Sequence, residues 1–255
     1  MGRPLLVSEV GAGHSVLAGT LRFRAQFSSA PSTGHLSDSW VIPFEDSLPI
    51  RRAAAYKGQH NFAGLWWCAT NRRHVGFESW CERDHLMCLD FDPDVTGVAS
   101  QPFSITLPGS LSQITHVPDY FVRRADGTGV VIDVRPDALV KPEDKEVFDA
   151  TAALCTSVGW GYQRLGGLPS VYVANLHWLA GYRHPRCIRG GLPPALLAHL
   201  GAAGPLSLRD LAAAVGDPVW VLPTLFHLMW QQQITANLRT TPLHLDTMVS
   251  LVRAA

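Results

Sequence analysis

Two kinds of hydrophobic pattern alternate along this chain. In one, β-branched and aromatic residues run together over five or six positions; in the other, apolar residues return every three to four positions, so the sequence predicts a mixed α/β protein. Residues 117–122 and 130–135 belong to the first kind and are joined by the turn cluster Ala125-Asp126-Gly127-Thr128-Gly129, which predicts a hairpin. Upstream, apolar positions at 81, 85/86 and 88/89 follow a helical period over 78–91, with Asp92-Pro93 as its stop. Residues 95–99 then lead into a strand around 101–107, in which Gln101 reads as an extended-strand amide. After Arg135-Pro136, Pro142 opens a helix running to about Ser157, followed by a strand over 159–165 and a helix over 168–180. This order suits a mixed sheet flanked by helices.

Beyond Pro185 the texture changes to Ala- and Leu-rich helices over 193–200, 207–215 and 218–231. Ser207 and Asp210 have the N-cap-x-x-acid form, and Gly216 and Pro218 punctuate the next turn. A short β-wing is expected over 234–245. Three helices and a wing resemble a winged-helix module, whose work is DNA contact or protein docking; the competing reading is a helical cap, because Arg209 and Arg239 are few for a recognition surface. Residues 1–35 hold Gly, Ser and Pro clusters and predict a poorly ordered or strand-like leader. The expected organisation is therefore a leader over 1–35, a catalytic-size α/β domain over 36–185 and a small, mostly helical domain over 186–255.

The hairpin carries the chemistry. An aspartate such as Asp133, within so apolar a strand, is costly to bury as an anion unless something compensates it, and two such acids point to a divalent cation between them. Side chains alternate faces, so Asp133 and Arg135 share one face of their strand. Asp119 joins them only through an odd loop: a two-residue turn pairs it with Val134, whereas a three-residue loop over 125–127 sets it opposite Asp133 and a five-residue loop sets it diagonally. Glu78 and Glu82, four apart on one helix face, are both candidates for a third carboxylate.

A glutamate on a helix, then Pro-Asp, then Asp-x-Arg resembles the PD-(D/E)xK nuclease core, with arginine at the position of its lysine. Further segments sharpen the match: Tyr56-Lys57-Gly58-Gln59, Asn61-Phe62-Ala63-Gly64-Leu65-Trp66-Trp67, Glu78-Ser79-Trp80-Cys81-Glu82-Arg83-Asp84, Leu89-Asp90-Phe91-Asp92-Pro93, Ser100-Gln101-Pro102-Phe103 and Trp178-Leu179-Ala180-Gly181-Tyr182-Arg183-His184-Pro185. Over roughly residues 36–250 the chain is similar to the TnsA-like endonuclease subunit of heteromeric transposases, in its actinobacterial form.

That resemblance implies a restriction-endonuclease-like fold and a metal-dependent cut at transposon ends. The implied partners are DNA, a DDE-type (TnsB-like) transposase that cuts and joins the other strand, and an ATPase regulator. Glu82 matches the helix glutamate, Asp119 the Pro-Asp aspartate, Asp133 the second metal carboxylate and Arg135 the basic position. Hydrolysis of a phosphodiester needs an activated water and neutralised phosphate charge, which Mg²⁺ or Mn²⁺ supplies; Glu82, Asp119, Asp133 and the Val134 carbonyl would suffice as ligands. Arginine keeps its proton, so Arg135 suits holding a phosphate oxygen rather than acting as a base. This departure motivates a second reading, a weak or inactive nuclease fold that docks a transposase or DNA; a lysine projecting into the acids would favour the enzyme, and the chain has only Lys57, Lys141 and Lys145.

Composition narrows the picture. With 255 residues, 47% of them hydrophobic, the chain can bury a sizeable core. Without an apolar run near the eighteen or so residues of a membrane span, or a basic-then-apolar amino end, a cytoplasmic protein without membrane contact is expected. Five cysteines without CxxC spacing indicate neither a disulfide framework nor a zinc site. Net charge is zero, but residues 1–75 hold eight basic and four acidic side chains, 76–150 six and fourteen, and 151–255 seven and three. An acidic centre with basic flanks fits a metal site that needs cations to admit DNA, with weak autonomous binding. Arg51, Arg52, Arg72 and Arg73 are candidate phosphate contacts. Trp66-Trp67 and His85 read as packed residues, and Glu78 as a helix-start residue complementing the dipole.

Overall fold

A computed structural model describes residues 19–28, 30–51, 62–107 and 114–252. The elements in order are β1 (Thr20–Phe23), β2 (Ser32–His35), α1 (Leu36–Ser39), β3 (Gly64–Cys68), β4 (Arg73–Phe77), α2 (Trp80–Phe91), β5 (Val95–Ser100), β6 (Phe103–Leu107), β7 (Ile114–His116), β8 (Tyr120–Arg124), β9 (Gly129–Val134), α3 (Pro142–Ser157), β10 (Gly161–Leu165) and α4 (Ser170–Ala180). They are followed by α5 (Leu192–Ala203), β11 (Leu206–Ser207), α6 (Leu208–Val215), α7 (Pro218–Trp230), β12 (Ile234–Thr235) and β13 (Met248–Leu251).

The central sheet has the order β10-β9-β8-β5 and is mixed, because β10 runs parallel to β9 while the other pairs are antiparallel. Every residue of β9 is buried, as expected of a strand covered on both faces. Alternation divides its side chains. Phe121 and Val131 face a core with Leu154 of α3 and Trp160, whereas Tyr120, Val122, Val130 and Ile132 pack with Leu86 of α2. A second sheet, β2-β1-β6-β7, closes the α3 side through Leu21, Phe103 and Ile105. The sheet therefore starts inside the expected leader, whose first eighteen residues lie outside those described.

Three expectations change. Residues 95–99 are a full strand rather than a passage, and Gln101 is not extended. It turns the corner between β5 and β6 with φ +46°, held there because its N–H donates to the Asp119 carbonyl and its carbonyl accepts from Ile50 N–H. The expected wing over 234–245 is two short strands, β12 and β13, separated by a loop in which Asn237 and His244 bond nearby backbone N–H groups; local turn chemistry has displaced strand pairing.

The carboxyl-terminal helices do not stand apart. Leu225 and Leu228 of α7 share one buried cluster with Met87 of α2 and with Leu176 and Leu179 of α4, across the boundary expected at residue 186. Among the described residues, no single helix is long and apolar enough to cross a membrane. Because one core joins the two parts, Leu225→Ala should lower the stability of the whole chain by about 2–5 kcal/mol, seen as one urea transition moved to lower denaturant. Two separate transitions, with only one displaced, would contradict the shared core.

Candidate acidic cleft at the end of the central sheet

The β8–β9 connection is a three-residue loop over 125–127. Arg124 N–H donates to the Thr128 carbonyl and Gly127 N–H to the Arg124 carbonyl, and Gly127 takes φ +87°, a conformation open to glycine without strain. Tyr120 then pairs with Ile132, and the same register carried one residue further sets Asp119 opposite Asp133. The odd loop on which the two acids depend is present.

Asp119, Asp133, Val134, Arg135, Glu78 and Glu82 all line one cleft of about 370 Å³, together with Arg51, His116 and Asp144. They reach it from different sides. Asp133 lies on the α3 face of the sheet, whereas α2 covers the opposite face, so the glutamates and Asp133 approach each other only past the strand end, where Asp119 stands. Burial pushes the Asp119 carboxyl well above the usual range, and the charges of Glu82, Asp133 and Glu78 push it further; the Val134 N–H, donating at 2.7 Å, opposes them. The Val134 contact is thus made by its N–H.

The two glutamates hold different positions at the start of α2. Ser79 caps α2, and Glu82 closes the cap: its oxygens accept from Ser79 Oγ at 2.9 Å and from Glu78 N–H at 2.8 Å. Burial still raises the Glu82 carboxyl, with these hydrogen bonds opposing the rise. Glu78 instead sits before the helix, with one oxygen paired to Arg51 at 2.8 Å and Oε1 buried without a partner among the described residues.

Asp133 is held by two residues that sequence reasoning missed. His116 Nε2 donates to both carboxylate oxygens at 3.0 and 2.9 Å, and Tyr162 Oη donates at 2.8 Å. His116 comes from β7 of the second sheet and Tyr162 from β10, so no local spacing in the sequence marks either as a partner of Asp133. Arg135 points to α3, where Nη2 meets Asp144 at 3.2 Å, so its ion-pair partner is Asp144 and not Asp133. Neither Lys141 nor Lys145 lines the cleft, and Lys57 and Arg52 lie outside the described residues. Arg73 is turned away, bonding the Glu45 carbonyl and approaching Asp46, while Arg72 is exposed on the β3–β4 turn.

No family model matches the chain, and no curated protein is significantly similar to it in sequence. Among the described residues, no group of three or more His, Cys, Asp or Glu side chains is arranged to hold a metal ion. The face division explains why: Asp133 and Glu82 spend their oxygens on protein donors on opposite sides of the sheet. Asp90 offers a contrast. That carboxylate is also buried, yet it accepts from Trp66 Nε1, from the N–H groups of Ala69 and Thr70, and from Thr70 Oγ1, which is enough to make it structural. Trp66 is thereby fixed in the structure, with the Arg183 guanidinium 4.1 Å from its ring centre. His85 is likewise packed, donating to the Gly166 carbonyl at 2.6 Å. All five cysteines are free, and burial pushes the thiols of Cys68, Cys88 and Cys155 up to about 12.

A carboxyl raised by folding takes up protons more readily in the native state. Asp119 therefore favours folding below its unfolded-state pKa, and that contribution is lost as pH rises toward its elevated folded value. Asp119→Asn keeps an acceptor for Val134 N–H and removes the charge. In metal-free buffer it should melt higher than the native chain at pH 7, with the difference shrinking toward pH 4; a variant that melts lower at pH 7 would show that Asp119 is not a strained anion.

Proposed function

We propose that this chain is a metal-dependent DNA endonuclease subunit of a heteromeric transposase, similar to TnsA-like proteins, which cuts one strand at transposon ends by phosphodiester hydrolysis. The observation that carries this reading is Asp119 set opposite Asp133 at the end of a mixed sheet, with the start of α2 and Arg135 lining the same cleft. A restriction-endonuclease-like core is the architecture this placement favours.

The residues present suit a cation in one respect that Asp90 does not share. Among the described residues, Asp119 accepts a single protein hydrogen bond amid three other acids, and Glu78 has a buried oxygen with no donor. Mg²⁺ is held through one or two carboxylates plus waters and substrate phosphate, so a full protein cage is unnecessary. When bound it supplies an activated water and neutralises charge on the phosphate. Asp119 is the ligand we place first, with Asp133 and Glu82 as the further carboxylates once they exchange their present partners; Mn²⁺ would serve as well. His116 and Tyr162 orient Asp133, and Arg135 and Arg51 face the phosphate.

The carboxyl-terminal order of helix, strand, helix, helix, strand and strand, with sheet order β11-β13-β12, supports a winged-helix-like module. Its last helix, α7, is buried from Thr224 through Trp230 and so has little surface to offer a DNA groove. We assign the module to docking, with a DDE transposase or its ATPase regulator as the partner. A second reading, an inactive docking subunit, is favoured by the engagement of Arg135 with Asp144.

Nicking of supercoiled DNA with Mg²⁺ or Mn²⁺, with and without the neighbouring transposase, tests the proposal. Asp119→Ala or Asp133→Ala should abolish nicking while the fold persists. Arg135→Lys should retain or raise it, and Arg135→Ala should lose about 10²–10³-fold. Native chain and variants that all fail to cut under every condition, yet bind the transposase equally, would leave the docking subunit as the function.

A further inference from the structure

Both guanidinium groups that line the cleft are already matched to carboxylates of this chain: Arg51 to Glu78 at 2.8 Å and Arg135 to Asp144 at 3.2 Å. The second pair has an unusual geometry. Arg135 spends Nη2 on Asp144, while its Nε–H is buried and has no acceptor among the described residues. An arginine fork ordinarily satisfies a planar or tetrahedral anion through two adjacent N–H groups; here one of its donors is left without an acceptor. The same oxygen, Asp144 Oδ2, also accepts Lys141 N–H at 3.1 Å at the start of α3, so Arg135 shares it with the helix cap.

We propose that Asp144 is a positioning residue that acts through Arg135, occupying part of its anion-binding fork in the absence of DNA and yielding it to a phosphate group of the DNA backbone. The inference rests on the reading of the cleft as a phosphodiester site and adds how that site is kept closed. Five carboxylates and two guanidiniums line the cleft, so it repels a phosphate until an arginine is released. Asp144 makes that release a competition between two anions for one fork.

The test uses the full chain and a short fluorescent DNA duplex, with binding followed by anisotropy over a range of salt concentrations and without divalent cation, so that cleavage plays no part. Asp144→Asn retains an acceptor for Lys141 N–H and removes the competing charge. It should bind the duplex about fivefold more tightly at low salt. The salt dependence should steepen by about one unit in log K against log salt, as one more phosphate contact is made. Asp144→Glu should restore native behaviour, and the melting temperature of Asp144→Asn should stay close to native. Unchanged affinity and slope in Asp144→Asn, or a lower melting temperature with no gain in binding, would overturn the proposal and leave Asp144 a helix cap. Arg135→Ala separates the two levels of inference. If it weakens binding while Asp144→Asn does not tighten it, the competition alone fails; if it leaves binding unchanged, the phosphate site fails with it.

Discussion

The length of one loop decides where the acidic chemistry of this chain comes together. With three residues between β8 and β9, the register places Asp119 opposite Asp133; one residue fewer would turn Asp119 toward the other face and leave two unrelated acids. Gly127 makes the short loop possible by taking a positive φ without strain. The same register puts Asp119 at the strand end, where burial first and then the charge of Glu82 raise its carboxyl most, with Asp133 adding to the rise.

The cleft is built differently from the other buried acid in the molecule. Asp90 sits in a cage of donors that ties β3 and the following turn to α2, and its charge is fully used by the structure. Among the described residues, Asp119 has one donor and three acidic neighbours. Burial of such a group disfavours its charged form, and perturbed carboxyls of this kind cluster at functional sites. Arg51 and Arg135 do not offset this at Asp119, since Glu78 and Asp144 hold them at the rim.

Much of this was legible in the sequence where local rules act. The α2 helix, its stop at Asp92, the α3 start at Pro142 and the Ser207 cap of α6 follow from capping and periodicity alone, and each stands within about two residues of expectation. The pairing of Asp119 with Asp133 was legible only as a condition on loop length. What escaped was set by contacts distant in sequence. Tyr162 reaches Asp133 from a parallel strand twenty-nine residues away, Asp144 captures Arg135 from the next helix, and Gln101 is bent by bonds to Ile50 and Asp119. That Glu82 closes the cap while Glu78 pairs with Arg51 escaped for another reason: two glutamates four apart look alike until Ser79 is known to be the cap.

We propose that Asp119 is held among acids because a divalent cation belongs beside it. Anomalous diffraction from crystals grown with Mn²⁺ tests this most directly. The account predicts a single strong peak at the sheet end, about 2.1 Å from an Asp119 oxygen, with the Asp133 side chain turned toward it. A cleft without a peak at saturating Mn²⁺, with Asp119 still bonded only to Val134 N–H, would contradict it.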